Sequence, residues 1–272
     1  EAAQTLPTVL LQTPAGNPHG YFMAGFYSGT ASWTGTDSSI SLAPFGVSGA
    51  PDIFIASLKD DGSFVFLSRA GGNDDDRAEG IVGDGAGGAF VIGTFGNLGT
   101  TASTATFDGT VLTSNGEEDV FVTHVTAGGS FSWAYSAGGS VGEYGRSITS
   151  DSSGGILATG SFQSSSASFG STTLTRTGIE DCFFMRVTSG GIQWAIRSGP
   201  ILGGTYARGQ GIVADGAGGA FATGIFTGAA TFGSQSLTAG TGQQDSFILR
   251  VSSSQTFEWA TAIRAASANR WA

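Results

Sequence analysis

Glycine, aspartate and aromatic residues recur in one fixed order four times along this chain, and that recurrence limits its fold more than any other feature. Gly25, Gly93, Gly160 and Gly224 each stand two residues before an aromatic: Tyr27, Phe95, Phe162 and Phe226. Asp52, Asp119, Asp181 and Asp245 each stand two residues before Phe54, Phe121, Phe183 and Phe247. Phe66, Trp133, Trp194 and Trp259 close the copies. The glycines are spaced 68, 67 and 64 residues apart. That period exceeds the roughly 40–50 residues of most propeller repeats and leaves room for an extra arm in each copy. Such repetition specifies one folding unit built four times. It names no reaction.

Each copy reads as two hairpins. Ile81-Val82-Gly83, the turn Asp84-Gly85-Ala86-Gly87-Gly88 and the stretch Ala89–Gly93 predict the first. Later copies carry Asp151–Gly155 and Asp215–Gly219 at that turn, while the first copy has a longer, Pro-rich Thr13–Gly20. Val120–Val125 and Phe131–Tyr135, around Ala127-Gly128-Gly129, predict the second hairpin. Four antiparallel strands per copy is how a propeller blade is written. The expectation is therefore an all-β chain, a β-propeller of four four-stranded antiparallel blades, forming one domain over residues 1–272. Its copies lie near 8–72, 73–139, 140–204 and 205–272. The first strand of each copy carries small residues (Gly83, Ser150, Ala214), as an inner strand at a crowded axis requires. Between the second and third strands lie Ala105-Thr106-Phe107 with Leu112, Ala167-Ser168-Phe169 with Leu174, Ala230-Thr231-Phe232 with Leu237, and Trp33 with Leu42. An aromatic and a leucine kept in register predict a small extra hairpin that packs on its own blade.

Composition agrees. The 46 glycines among 272 residues fit recurrent tight turns, and they lack the period of three that collagen needs. Twenty phenylalanines and 40% hydrophobic residues supply a core and argue against disorder. A net charge of −10, with Lys59 the single lysine, disfavours nucleic acid and anionic membranes as partners. The one cysteine, Cys182, occupies a slot filled by Ile53, Val120 and Ser246 in the other copies, so it reads as a small buried hydrophobe. No apolar stretch approaches the ~18 residues of a membrane span. Low lysine, acidity and abundant Ser, Thr and Gly suggest a secreted or cell-surface bacterial protein.

The motif set resembles the bacterial SBBP-type β-propeller repeat: Gly-x-Phe, Ala-Thr-Phe-Gly, Leu-Thr, Asp-x-Phe-Val, Gly-x-x-x-Trp and Asp-x-x-Gly-Gly, recurring from about Thr8 to about Arg264. The resemblance implies secreted or surface proteins without a common activity. The segments Thr126-Ala127-Gly128-Gly129 to Trp133 and Thr188-Ser189-Gly190-Gly191 to Trp194 are also similar to the tryptophan-docking repeat of quinoprotein propellers. That second likeness implies that Trp133, Trp194 and Trp259, with Phe66 as the weaker member, wedge between neighbouring blades. It does not extend to quinone binding, since one cysteine cannot form the adjacent pair such enzymes often carry.

Candidate sites are few. Asp52, Asp119, Asp181 and Asp245 could form a carboxylate set for a cation or basic partner, but capping their local turns is the preferred reading. Asp74, Asp75 and Asp76 form the one dense acidic run. A solvated loop is preferred there, with calcium the alternative, and no other cofactor or metal is expected. His19 and His124 lack metal-ligand spacing, and the sequence assembles no Ser/His/Asp set. Tyr144 and Arg146, and Tyr206 and Arg208, are placed in connections between copies, where a ligand could be held.

The residues thus favour a non-catalytic extracellular scaffold that presents loops to a protein or glycan over an enzyme. Two alternatives stand: a glycan hydrolase or lyase using loop carboxylates, and a self-assembling surface or fibre subunit. Closure of four blades into a ring and membership of a larger propeller both stay open.

Overall fold

Every regular element among the described residues of the computed structural model is a strand, and the strands pair antiparallel. The structure describes residues 5–12, 20–34, 39–46, 49–97, 99, 102–151, 153–201 and 205–264. Most of the Pro-rich turn of the first copy, His19 included, lies outside them, as does Trp271. No helix among the described residues is long and apolar enough to cross a membrane. Contacts gather the chain into two compact units, Glu1–Gly145 and Arg146–Ala272, where the sequence predicts one domain.

In the first unit the strands are β1 (Thr5–Gln12), β2 (Tyr21–Ser28), β3 (Ala31–Thr34), β4 (Ser39–Leu42), β5 (Pro51–Leu58), β6 (Phe64–Gly72), β7 (Asp76–Gly83), β8 (Ala89–Gly96), β9 (Thr104–Phe107), β10 (Thr110–Thr113), β11 (Glu118–Val125) and β12 (Phe131–Gly139). One sheet runs β1-β2-β5-β6 and another β7-β8-β11-β12. The second unit repeats the plan with β13 (Glu143–Ser150), β14 (Ile156–Phe162), β15 (Ser166–Phe169), β16 (Thr172–Thr175), β17 (Asp181–Thr188), β18 (Gly191–Pro200), β19 (Ala207–Ala214), β20 (Ala220–Thr227), β21 (Ala229–Phe232), β22 (Gln235–Thr238), β23 (Gln244–Val251) and β24 (Phe257–Ile263). Its sheets run β13-β14-β17-β18 and β19-β20-β23-β24.

The register joins two halves of the sequence motif. Gly25 lies opposite Phe54, Gly93 opposite Phe121, Gly160 opposite Phe183 and Gly224 opposite Phe247. A Cβ on Gly93 would fall 2.7 Å from Cε1 of Phe121, and one on Gly224 would fall 2.6 Å from Cε1 of Phe247. The ring of the third strand therefore lies over the glycine of the second, and only glycine leaves it space. The hairpin turns follow from aspartate chemistry. Asp84 Oδ1 accepts the amides of Ala86 (2.6 Å) and Gly88 (2.9 Å), and Asp215 Oδ1 those of Ala217 (2.8 Å) and Gly219 (2.9 Å).

The extra arms form hairpins, β3–β4, β9–β10, β15–β16 and β21–β22, as predicted. Within the units, two of them also pair with the sheet before, which the expectation that each packs on its own blade does not include. β9 pairs with β6 of the preceding copy (Gly71 with Thr106, Gly72 with Ala105), and β21 pairs with β18 (Gly199 with Thr231, Pro200 with Ala230). With the arm added, the first sheet of each unit runs to six strands, β1-β2-β5-β6-β9-β10 and β13-β14-β17-β18-β21-β22, rather than the four expected of a blade. The aromatic still packs on its own copy: Phe107 sits 5.1 Å from Phe121 and 5.4 Å from Phe131, between ring centroids. One hairpin thus bonds backward through its edge and packs forward through its side chains.

Between the two sheets of the first unit lies a core of Phe22, Ile53, Ile55, Phe66, Ala78, Ile81, Phe95 and Phe107, all buried. Phe54 and Tyr27 face the other way and bury Ala31 and Leu42 of the β3–β4 hairpin. The second unit has the matching core of Cys182, Phe184, Ala207, Phe226, Phe232 and Phe247. Cys182 is fully buried, as its slot predicts.

Candidate functional site

The four recurrent aspartates open the third strand of each copy, and all are buried. Each accepts main-chain amides from the loop just before it. Asp52 accepts from Phe45 (2.9 Å), Asp119 from Asn115 (3.0 Å), Asp181 from Thr177 and Gly178 (both 2.9 Å), and Asp245 from Gly240 (3.0 Å). Against the first three lie glycines of the fourth strand, Gly71, Gly138 and Gly199, whose missing side chain makes room for the carboxylate. Capping accounts for the recurrence of all four. Among the described residues, no group of three or more His, Cys, Asp or Glu is placed to hold a metal ion.

Their surroundings differ. Arg197 donates to Asp181 at 2.9 Å, whereas Arg264 reaches only to 3.9 Å from Asp245. Burial pushes Asp52 up to about 6 against the amides of Phe45 and Gly72 and the charge of Arg69. Burial likewise pushes Asp119 up to about 6 against its Asn115 bonds.

The acidic run corrects its sequence reading. Asp75 pairs with Arg77 at 2.8 Å and is partly exposed, but Asp76 is the first residue of β7 and is 1% exposed. A Cβ built on Gly71 would meet Asp52 Oδ1 and lie 3.1 Å from Asp76 Oδ2, so the two carboxyls share one small space. Both Asp76 oxygens and Asp52 Oδ1 lack a well-formed hydrogen bond, although the amides of Gly72 and Gly96 point towards Asp76. Burial is the main cause that pushes Asp76 up to about 8, with the charges of Asp52 and Asp74 adding to it. The next copy puts Glu143 in the same slot, where it accepts the Gly139 amide at 2.6 Å; the copy after has Ala207.

Tyr144 and Arg146 belong to β13 and Arg208 to β19, rather than to loops; Tyr206 immediately precedes β19 and bridges to Glu180. The first strands start earlier than their apolar residues indicate, because pairing with the second strand extends to their polar ends. The Tyr144 hydroxyl donates to Glu118 at 2.9 Å. In the second unit Arg208 pairs with Glu180 (2.7 Å) and lies over the Tyr206 ring (4.6 Å), and the Tyr206 hydroxyl donates to Gln244 at 2.6 Å. The partners Glu118, Glu180 and Gln244 each stand immediately before a recurrent aspartate, a spacing that could have drawn attention to them.

Sequence reasoning missed an open pocket of about 420 Å³ in the first unit, lined by Phe45, Leu67, Ser68, Arg69, Thr106, Asp108 and Gly129. Asp108 stands where the sister copies have Gly170 and Gly233, and no other loop before a recurrent aspartate carries an aromatic like Phe45, whereas Arg69 holds the slot of Arg197. The Arg69 guanidinium lies 4.4 Å above the half-exposed Phe45 ring and donates to the carbonyl of Ala43. Asp108 takes φ = 49° and accepts the Phe131 amide at 2.8 Å. An aromatic face, a cation and a carboxylate around one opening suit a polar ligand of sugar size.

The sequence also gave no sign of a chain of hydrogen bonds from Ser132 Oγ to His124 Nδ1 (2.7 Å) and from His124 Nε2 to Asp84 Oδ2 (2.9 Å). Its connectivity is that of nucleophile, base and orienting acid. Two observations read it as a fastener instead. Ser132 lies within β12 and does not line the pocket, and the sister copies join the same turn aspartate to arginine: Asp151 with Arg186 (2.5 Å) and Asp215 with Arg250 (2.6 Å).

The closing aromatics divide. Phe66, expected to be the weaker wedge, is 8% exposed and lies in the core, while Trp194 is partly buried against the second unit's core. Trp133 stacks within its own sheet on Tyr135 and His124, and Trp259 is 39% exposed.

A scan against protein-family models gave no match, and a search of curated proteins returned no relative.

Proposed function

We propose that this chain is a non-catalytic binding scaffold of the β-propeller kind, one domain of four blades, which offers the Phe45–Arg69–Asp108 pocket to a glycan or to a polar protein segment. The observation that carries this reading is a division of labour. Residues kept in every copy are consumed by the fold, as the four aspartates are by their turns, whereas Phe45 and Asp108 at the pocket have no counterpart in the other copies. The likeness of the repeat to secreted SBBP-type propellers supports an exported, cell-surface setting. The cores between consecutive sheets within each unit support the propeller reading, because blades pack face to face in that way.

A glycan array with the purified chain tests it, repeated with Phe45→Ala and Arg69→Ala. Binding that falls at least about tenfold in both variants is expected. Ligands bound equally well by the variants would place recognition elsewhere.

A further inference from the structure

One face of the β19-β20-β23-β24 sheet carries large apolar side chains in the open. Val213 is 57% exposed, Phe221 37%, Trp259 39% and Ile263 62%, with the half-buried Ile248 among them. The register puts them on one side: Phe221 pairs with both Val213 and Arg250, Arg250 with Trp259, and Ser246 with Ile263. The same slots are closed in the sheet before it. Cys182, in the slot of Ser246, is fully buried, Phe184, in that of Ile248, is 1% exposed, and Leu157, in that of Phe221, is 2% exposed. Exposed apolar area gathered on one face marks an interaction surface.

The fold shows what covers such a face. In the second unit it is the first strand of the next copy: Gly209 of β19 comes so close to Thr159 of β14 that a Cβ there would strike the threonine side chain. In the first unit β7 does the same to β2, with Arg77 stacked 5.0 Å over Phe26 and Gly83 against the Phe22 ring. Both covering strands break register at the same place, Ala78/Gly80 in β7 and Gly209/Gly211 in β19. β1 has the same break, between Pro7 and Val9, and pairs with β2 as β7 does with β8. A strand of the covering geometry is therefore already built at the start of the first sheet.

The edges match as well. β6 and β18 each take on the arm hairpin of the following copy, through β9 and β21. Among the described residues β24 has no such partner, and β3–β4 stands as a two-stranded sheet of its own.

We infer that the Val213, Phe221, Trp259 and Ile263 face is a docking surface for the first sheet of a second copy of this chain, joined head to tail with β1 laid on the face and the β3–β4 hairpin added to the β24 edge. The contact is heterologous, so association continues beyond a dimer unless a ring closes.

Sedimentation velocity over a range of concentrations, with hydrogen exchange at both ends of that range, tests this. Oligomers that grow with concentration are expected, together with new amide protection in β1, β3 and β24. Phe221→Glu and Trp259→Glu, both at exposed positions, should keep the native melting temperature and weaken association at least about tenfold. A monomer at every concentration overturns the inference, whether Trp259 is then open to a fluorescence quencher or shielded by another part of the same chain. Association that both glutamate variants leave unchanged overturns it too.

Discussion

The Asp181 carboxyl rests on Gly199 so closely that a Cβ on that glycine would lie 2.5 Å from Cγ. Gly199→Ala should therefore destabilise the protein by about 1–3 kcal/mol, since neither the buried carboxyl nor the β18 backbone can yield cheaply. Gly109 has open space around it and no positive φ, so Gly109→Ala should be neutral or stabilise by about 0.5 kcal/mol. Urea midpoints for the two variants check the contrast.

Stability should fall as the solution is made alkaline, and Asp76 is the main cause. It titrates at about 8 in the fold against an ordinary 3.8, so the native state keeps a proton that the unfolded chain has lost. That contribution is complete below 3.8 and is lost as pH rises through 8, with Asp52 and Asp119 adding a smaller decline that ends near 6. Asp76→Asn should remove the upper part of the decline and raise stability at pH 8 by about 1–3 kcal/mol. Denaturant curves at several pH values for both proteins measure this.

The turn aspartates behave in the opposite sense. Burial alone would raise Asp151, but the amides of Gly155 and Ser153 and the Arg186 guanidinium together hold it below its usual range. Its stabilisation is present above 3.8 and is lost as acid protonates it. Asp151→Ala should cost about 2 kcal/mol at neutral pH and little in strong acid. His124→Arg should be tolerated, since arginine fills that slot beside Asp151 and Asp215. A fluorophosphonate probe should leave Ser132 unlabelled; labelling there, lost in His124→Arg, would make the Ser132–His124–Asp84 chain catalytic.

Phe107→Ala should be among the most damaging single changes, at about 3–5 kcal/mol. Phe107 is fully buried between Phe121 and Phe131, and its loss also loosens a hairpin that bonds to the preceding sheet. Calorimetry would read the cost.

Cys182 should resist thiol reagents in the folded protein. Burial drives its thiol far above the ordinary range and its sulfur donates to the Ser198 carbonyl at 3.0 Å. Reaction with a chromogenic disulfide should track global unfolding as denaturant is added.

Strands, turns and arm hairpins were legible because each depends on neighbours in the chain: alternation, an aspartate two and four residues before the amides it binds, glycines where φ is positive. The capping role of Asp52 and its sisters was legible for the same reason. The partner of an arm was not. Nothing local to Thr104–Phe107 distinguishes pairing with β6 from pairing within its own copy, because that choice is made by edges some 30 residues away. Asp76 was misplaced on similar grounds: three adjacent aspartates look alike in sequence, and only the start of β7 turns the third inward. The pocket escaped notice because Phe45, Arg69 and Asp108 come from three separate segments.

The backward reach of the β9–β10 and β21–β22 arms means that the unit of sequence and the unit of sheet are out of step. The sequence period can be counted from glycine to glycine, whereas the hydrogen bonds of a sheet run on into the arm of the following period. Clean excision has to follow the hydrogen bonds instead, beginning after one arm hairpin and ending after the next. Growth or loss of copies by recombination should leave its scars between arm and third strand.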